Sequence, residues 1–302
     1  MKSLSQSSSL SGYLCAVAAF SFWGFIPLYW REISYHSPWE LIGHRILWGS
    51  LVLLFYLLFW KRRDLPSLVR IPFQKKNSWL FLSALLIATN WFTFMYAVSI
   101  DKVVEASLGY FLNPLINVFL GLILFKESVS RLKWVSILLA FTGLILFSMG
   151  KLSSPGISLL LASTFALYGV LHKKSSIPPL QGLFVETLIV SVFLLPYLFL
   201  KGDFSLSSLY HRDFLWLFAA GPVTVVPLIL FSFAVKRIPY SSVGIIQYLA
   251  PLGQFALGVS VFNQKLETQS LVAFCLIWLA LSLFSFGEYN MLRQTRKAKL
   301  KV

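Results

Sequence analysis

The chain has 302 residues, of which 57% are hydrophobic and 12% are charged. An ordinary soluble domain has about 45–50% apolar and about 25% charged residues, so this composition excludes a soluble globular protein and indicates a membrane protein. The net charge of +15 at pH 7 would also suit a nucleic-acid-binding protein, and the positions of the basic residues decide between the two interpretations.

Apolar runs follow one another along nearly the whole chain. Each is about as long as a helix needs to cross a hydrocarbon core of about 30 Å. The predicted spans are 12–30, 38–60, 78–99, 103–125, 132–149, 156–171, 180–200, 214–235, 240–262 and 268–287. These runs lack the alternation of apolar and polar residues that is typical of membrane β-barrel strands. The sequence therefore predicts an all-α integral membrane protein with ten transmembrane helices and no soluble domain between them.

The basic residues are distributed unevenly between the two sides of this predicted bundle. With the N-terminus in the cytoplasm, 19 of the 26 Lys and Arg residues fall on the cytoplasmic side, six fall outside, and Arg45 lies inside the second span. This asymmetry follows the positive-inside rule, which predicts that both termini are cytoplasmic. Topology therefore explains the charge, and we expect no nucleic-acid partner.

The chain contains an internal repeat. A shift of 137 positions places 113–115, Asn-Pro-Leu, on 250–252, Ala-Pro-Leu, in the middle of the fourth and ninth spans. We therefore predict two related halves, 1–150 and 151–302, with five spans each. Because five is odd, the second half enters the membrane from the opposite side, and the repeats are inverted.

The paired prolines, Pro114 and Pro251, mark the centre of the two matching spans. Each removes one backbone hydrogen bond and frees a carbonyl group inside a membrane helix. In transporters built from inverted repeats, helices broken at corresponding positions point to the substrate site. A kink that serves only helix packing is the alternative.

Polar residues share one face of each of these two spans. At helical spacing, the face of the fourth span carries Glu105, Gly109, Asn113 and Asn117, with Tyr110 beside them. The face of the ninth span carries Gly244, Gln247, Pro251, Gln254 and Gly258. Polar groups are costly in lipid unless they face the bundle interior or a wet cavity, so we expect these two faces to line a solute pathway.

Several segments carry a resemblance to a known family. They read FWGFIPLYW, ELIGHRILW, TNWFTFMYAV, VVEASLGYFLNPL and, in the second half, GPVTVVPLILFSFAVKRIP with QYLAPLGQF. Over about residues 12–287 the sequence resembles the RarD-type, chloramphenicol-sensitivity branch of the drug/metabolite transporter superfamily, with its paired EamA-like domains. The resemblance implies movement of a small organic metabolite or drug across a bacterial inner membrane. One departure is visible, because Glu127 follows the fourth span whereas Gln264 stands at the matching place of the second half.

Charged residues inside the spans are candidates for binding. Glu105 either binds a substrate ammonium or carries a coupling proton, or it is a first-turn acid favoured by the helix dipole. Arg45, with His44 beside it, suits the carboxylate of a zwitterion such as an amino acid or an S-adenosylmethionine-like metabolite, unless it snorkels to the interface. Glu186 lies inside the seventh span and either acts there or reaches the inner interface.

Aromatic and amide side chains in the middle of the spans suit the wall of a binding cavity. The candidates are Trp23, Asn90, Trp91, Tyr96, Tyr110, Tyr168, Gln247 and Tyr248. They would hold an amphiphilic or cationic solute through apolar and cation–π contacts. For each of them, helix packing is the alternative.

We therefore expect a secondary transporter that works by alternating access as a monomer or homodimer in the lipid bilayer, with coupling protons as a further partner. The alternative is a membrane receptor or scaffold that transports nothing. The four His residues are scattered and no catalytic motif is present, so we expect no enzyme, no catalytic residue, no cofactor and no metal. Cys15 and Cys275 both lie inside spans and predict no disulfide.

Overall fold

The structure is a computed structural model that describes residues 6–60, 74, 77–100, 102–127, 130–149, 155–202, 213–261 and 268–299. Within these ranges the regular structure is entirely helical. The predicted boundary between the halves, at 150 and 151, lies outside them. So do Gln264 and most of the loops at 61–77 and 203–212.

The helices follow the predicted spans closely. Their bounds are α1 Gln6–Glu32, α2 Pro38–Trp60, α3 Trp79–Ser99, α4 Val103–Phe125, α5 Arg131–Ser148, α6 Pro155–Lys174, α7 Pro179–Lys201, α8 Phe214–Arg237, α9 Tyr240–Gln247, α10 Leu249–Ser260 and α11 Thr268–Lys299. The predicted bounds 38–60 and 103–125 coincide with those of α2 and α4. The terminal helices α1 and α11 extend beyond their predicted spans.

Nine of the described helical segments are long and apolar enough to cross a bilayer, with α9 and α10 counted together as Tyr240–Ser260. A tenth apolar segment, Leu271–Gly287 within α11, is shorter. The predicted fold class, an all-α integral membrane protein with about ten spans, is confirmed.

Most helices of one predicted half pack mainly against helices of the other predicted half. α1 packs against α8 and against α10, and α6, the first helix of the second half, packs against α3 and α4. Likewise α2 packs against α8, and its counterpart α7 packs against α3. The last helices of the halves, α5 and α11, pack against each other. The helices of the two predicted halves therefore interdigitate.

The two matching prolines differ in their effect on the helix. Pro251 cannot donate to the carbonyl of Gln247, and the ninth span breaks at Tyr248 into α9 and α10. Pro114 lies inside α4, which continues through it without a break. The backbone of α9 comes close at this point, because a Cβ on Gly244 would lie 2.6 Å from the Pro114 carbonyl oxygen.

Candidate functional site

A cavity of about 820 Å³ lies where the two halves meet. This volume falls in the range of small-molecule pockets, about 300–1,000 Å³. Among the residues predicted to bind a solute, those that line the cavity are Trp23, Arg45, Asn90, Trp91, Tyr110, Gln247 and Pro251. Further aromatic side chains complete the wall, among them Trp30, Phe94, Phe111 and Phe165. The cavity is therefore mainly aromatic, with a few polar groups.

The cavity reaches the surface on the predicted outer side of the membrane. Arg31 and Ser34, at and beyond the end of α1, line it and are exposed. Phe20, Trp23 and Phe165 line the cavity further from this opening along their helices. Behind them lies Phe231, whose ring centroid is 5.0 Å from that of Phe165 and which is fully buried.

Polar contacts join helix ends on the predicted cytoplasmic side. α4 ends at Phe125, and the next residue, Lys126, has a φ of 51° that turns the chain so that Glu127 meets the start of α9. The Glu127 carboxylate accepts from the backbone N–H groups of Tyr240 and Ser241, at 2.6 and 2.9 Å. A carboxylate is favoured at the positive N-terminus of a helix. Lys173 Nζ lies 3.8 Å from the same carboxylate.

Arg45 is the central polar group of the cavity. Its Nε donates to Thr224 Oγ1 at 3.1 Å, which ties α2 to α8. The guanidinium carbon lies 5.3 Å from the ring centroid of Trp30 and 5.2 Å from that of Trp91. Within the described part of the chain no carboxylate forms an ion pair with Arg45, so its charge is stabilised by two aromatic faces and one hydroxyl group.

Tyr110 lies close enough to Arg45 to interact with its charge. Its ring packs against Phe94 at a centroid distance of 5.9 Å. No hydrogen bond to another described residue engages the Tyr110 hydroxyl group, and the side chain lines the cavity. Arg45 and Tyr110 therefore present hydrogen-bond donors to the same space.

The polar face of α4 meets other helices rather than the cavity over most of its length. The Ser158 hydroxyl of α6 donates to the Glu105 carbonyl oxygen at 2.6 Å, and Asn113 Nδ2 donates to the Ala162 carbonyl oxygen at 2.5 Å. A Cβ on Gly109 would lie 3.0 Å from the Ser158 carbonyl oxygen. The small residue and the two hydrogen bonds therefore bring α4 and α6 together.

Asn113 also belongs to a buried amide cluster between the halves. Gln247 Nε2 donates to Asn113 Oδ1 at 2.5 Å, and Asn117 Nδ2 donates to Gln247 Oε1 at 2.6 Å. Gln247 is the last residue of α9, next to the break, and it lines the cavity. Asn113 is buried behind it, so its predicted contact with the pathway is replaced by contact with Gln247.

Glu105 is buried but is not among the residues that line the cavity. Its carboxylate lies 3.5 Å from Lys102 Nζ, one turn away. The structure therefore pairs Glu105 with a lysine of its own helix end, and not with Arg45. Among the ion pairs of the described residues, none joins Glu105 to Arg45.

The other predicted residues lie outside the cavity lining. His44 is buried and accepts from Trp48 Nε1 at 3.2 Å. Tyr96 is 46% exposed on the outer surface of α3, where it faces the lipid side. Tyr168 and Tyr248 are fully buried, and Tyr168 donates to Glu186 Oε2 at 3.2 Å. Helix packing, the alternative for each aromatic residue, therefore accounts for Tyr168 and Tyr248, whereas Tyr96 lies on the surface of the bundle.

Sequence reasoning missed two residues that define the surroundings of Arg45. Trp30 lies at the end of the first span, where tryptophan is expected at the membrane interface. Thr224 lies in an apolar stretch with Gly and Pro neighbours and carries no charge. No local signal identifies either residue, because both roles depend on a partner in another helix.

Comparison with known proteins decides the family. The model of the EamA-like transporter family matches residues 10–149 and 154–286. The chain belongs to the EamA-like transporter family. An uncharacterized transporter of Pseudomonas aeruginosa is 39% identical over 288 residues, which cover 94% of this chain and 96% of that protein. Protein RarD of Escherichia coli strain K12 is 36% identical over 290 residues, which cover 95% and 97%.

The fold of this EamA-like protein is also found among solved structures. One crystal structure superposes with a TM-score of 0.70 at 19% sequence identity and covers 91% of this chain and 97% of that chain. At this identity the likeness concerns the fold alone. The family shows that the protein is a multi-pass membrane transporter, and the resemblance found in the sequence is confirmed.

Proposed function

We propose that this protein is a secondary transporter of small organic anions with an aromatic or apolar body, and that it works by alternating access. The single observation that carries this proposal is Arg45. It is a cation inside a membrane-embedded, aromatic cavity, and no described carboxylate is paired with it. An ionisable side chain at such depth is costly unless a partner compensates it, and a substrate anion supplies that partner.

The geometry around Arg45 suits a carboxylate. Its Nε is engaged by Thr224, which fixes the side chain and leaves the terminal nitrogens to form charge-assisted hydrogen bonds. The Tyr110 hydroxyl group adds a second donor in the same cavity. Trp30 and Trp91 flank the guanidinium group with apolar rings, and a low local dielectric of this kind strengthens a bond to an anion.

The body of the substrate is expected to be apolar and flat. The wall beyond Arg45 is built from rings, including Trp23, Phe94 and Phe165. Aromatic rings bind one another in offset or edge-to-face arrangements. A small aromatic carboxylate therefore fits the cavity, with its carboxylate at Arg45 and its ring against the aromatic wall.

A zwitterion or a cation fits less well. The described residues that line the cavity include two arginines, Arg31 and Arg45, and no Asp or Glu. Glu105, which would meet an ammonium group, is paired with Lys102 instead. A substrate ammonium would thus enter a positively charged cavity without a carboxylate partner.

Alternating access is supported by the unequal ends of the cavity. The cavity is open beside Arg31 and Ser34, on the predicted outer side. On the predicted cytoplasmic side Glu127 holds the start of α9, and Lys173 Nζ donates to the Ile238 carbonyl oxygen at 2.7 Å. Transport requires these inner contacts to separate while the outer end closes. Because the predicted repeats are inverted, exchanging their conformations converts an outward-open state into an inward-open one.

Exchange in proteoliposomes tests this function. Purified protein would be reconstituted with one labelled aromatic carboxylate inside, and a panel of unlabelled carboxylates and matched amines, such as phenylacetate and phenethylamine, would be offered outside. We expect the carboxylates to drive exchange and the amines to be inert. Exchange driven by the amines alone would contradict the proposal, and an absence of exchange with every compound would favour the receptor or scaffold alternative.

A further inference from the structure

A second polar cluster lies inside the bundle, outside the cavity lining. His172 Nε2 lies 2.9 Å from Glu186 Oε1 and 3.1 Å from Glu186 Oε2. The Tyr168 hydroxyl group donates to Glu186 Oε2 at 3.2 Å. The side chains of His172 and Glu186 are 2% and 0% exposed. An acid and a base are therefore hydrogen-bonded to each other in the dry interior of the bundle.

Apolar rings enclose this pair. The ring of Trp79, from α3, lies 6.3 Å from that of His172, and the ring of Phe231, from α8, stacks on Tyr168 at 6.3 Å. A carboxylate in such surroundings is costly when its charge is uncompensated. With one proton shared between imidazole and carboxylate, the pair is neutral overall. Without that proton it carries one negative charge.

The charged groups of the neighbouring helices are mostly engaged elsewhere. Lys236, from α8, interacts with the charge of Glu186 while its Nζ donates to the Ile177 carbonyl oxygen. Lys173, from α6, donates to the carbonyl oxygens of Val235 and Ile238 and lies near Glu127.

The remaining neighbours contribute hydroxyl groups, among them the buried hydroxyl of Ser232, from α8, which lies near Tyr168. Tyr240, from α9, donates to the Ala166 carbonyl oxygen at 2.6 Å. Ser50, from α2, is hydrogen-bonded to Ser191 of α7 at 2.7 Å. Among these described neighbours, Lys236 is the cation whose charge acts on Glu186. The proton of the pair compensates the negative charge of the carboxylate further.

Packed rings connect this pair to the cavity. Phe165 lines the cavity, and its ring lies 5.9 Å from that of Tyr168 and 5.0 Å from that of Phe231. Tyr168 in turn donates to Glu186. Phe165 and Tyr168 are neighbours on α6. A substrate that displaces Phe165 therefore also disturbs Tyr168 and its hydrogen bond to Glu186.

We propose that the His172–Glu186 pair is the binding site of a coupling proton in this transporter. The inference rests on the proposed transport function. In loading, one proton from water on one side of the membrane adds to the pair, between Nε2 and the carboxylate, and the charge of the pair changes from −1 to 0. In unloading, the same proton leaves to water on the other side. No other bond forms or breaks.

The chain contains a matched control for this chemistry. His36 Nδ1 lies 3.1 Å from Glu40 Oε2 near the start of α2, with side-chain exposures of 12% and 21%. The residue types and the distance are those of the buried pair, but this pair has access to water. Glu40→Gln therefore removes the same interaction without removing a buried acid.

A spectroscopic experiment tests proton binding without any substrate. Infrared difference spectra of the purified full chain would be recorded on acidification from about pH 8 to about pH 5, the range in which histidine changes its charge. We expect difference bands of a buried carboxyl or carboxylate group and of an imidazole group that disappear in Glu186→Gln and persist in Glu40→Gln. Identical spectra of wild type and Glu186→Gln would overturn the proposal.

A transport experiment tests coupling. Proteoliposomes with a pH-sensitive dye inside would be given an aromatic carboxylate that the wild type exchanges. For Glu186→Gln we expect exchange within about twofold of wild type, whereas accumulation driven by a pH gradient falls by about tenfold or more, because exchange needs no net proton movement. Glu40→Gln should retain both.

Two outcomes of this transport experiment would overturn the coupling role. One is unchanged proton-driven accumulation in Glu186→Gln, and the other is an equal loss of exchange and accumulation in a folded variant, which would assign a structural role. Glu186→Asp, which keeps the carboxylate, serves where Glu186→Gln fails to fold, and it should keep proton-driven accumulation. Failure of the proposed function is distinct, because it appears in the wild type as an absence of carboxylate exchange.

Discussion

Replacing Arg45 with Gln is expected to abolish exchange of aromatic carboxylates while the protein remains folded. Removing one partner of a buried charge pair costs about 2–5 kcal/mol, or about 30-fold or more in affinity. Gln retains hydrogen-bonding groups but not the charge that faces Trp30 and Trp91. Arg45→Lys should be intermediate, because it keeps the charge but loses the bond to Thr224 and the planar stack. Initial exchange rates, normalised to folded protein, give the comparison.

Arg31→Gln is the matched control for this variant. Arg31 also lines the cavity, but its side chain is 52% exposed and lies 3.5 Å from Glu32. Exposed ion pairs contribute little, about 0–1 kcal/mol, so exchange should stay within about fivefold of wild type. Equal losses in Arg31→Gln and Arg45→Gln would show that the general positive charge of the cavity matters and that Arg45 has no special role.

Replacing Gly221 with Ala is expected to destabilise the bundle. A Cβ at this position would lie 2.5 Å from the carbonyl carbon of Trp48 and 2.7 Å from the backbone nitrogen of Gly49. Both atoms belong to the backbone of α2, so the clash is relieved only if α2 and α8 move apart. Overpacking of this kind costs about 1–3 kcal/mol. Thermal unfolding followed by tryptophan fluorescence, with the monodisperse yield, measures the effect.

Gly156→Ala provides the opposite expectation. Apart from its chain neighbours and the backbone of its own helix, no atom of the described residues lies within 4 Å of a Cβ at Gly156, in the first turn of α6. Alanine favours the helix over glycine by up to about 1 kcal/mol, so this variant should be as stable as wild type or more stable. If Gly221→Ala were equally stable, the close approach of α2 and α8 in the structure would be wrong.

The spans were predictable because hydropathy and length determine them locally. The bounds of α2 and α4 coincide with the predicted ones. Arg45 was also identifiable, since it is the only Lys or Arg residue that the prediction places deep inside a span, whereas Lys133 stands at the very start of the fifth span. An isolated charge in an apolar run indicates function without any knowledge of its neighbours.

The partners of the polar faces were not predictable. The periodicity correctly placed Asn113 and Gly109 on one face of α4. That face meets α6 and α9, because Gly109 allows close approach and Asn113 reaches the Ala162 carbonyl oxygen. A single-helix pattern shows that a face is polar but not which helix covers it. The pairing of Glu186 with His172 escaped prediction for the same reason, since each lies on a different helix.

Substrate protection of a cysteine inside the cavity tests the central claim most directly. Ser107→Cys, in a background in which Cys15 and Cys275 are replaced by Ala, places one thiol in the wall beside Tyr110 and Phe111 with little change in volume. A membrane-impermeant thiol reagent added from outside should label it. We predict that an exchanged aromatic carboxylate slows the labelling, and that Arg45→Gln removes this protection while the unprotected labelling rate is unchanged. Equal protection with and without Arg45 would contradict the proposal that this cavity binds the anion through its arginine.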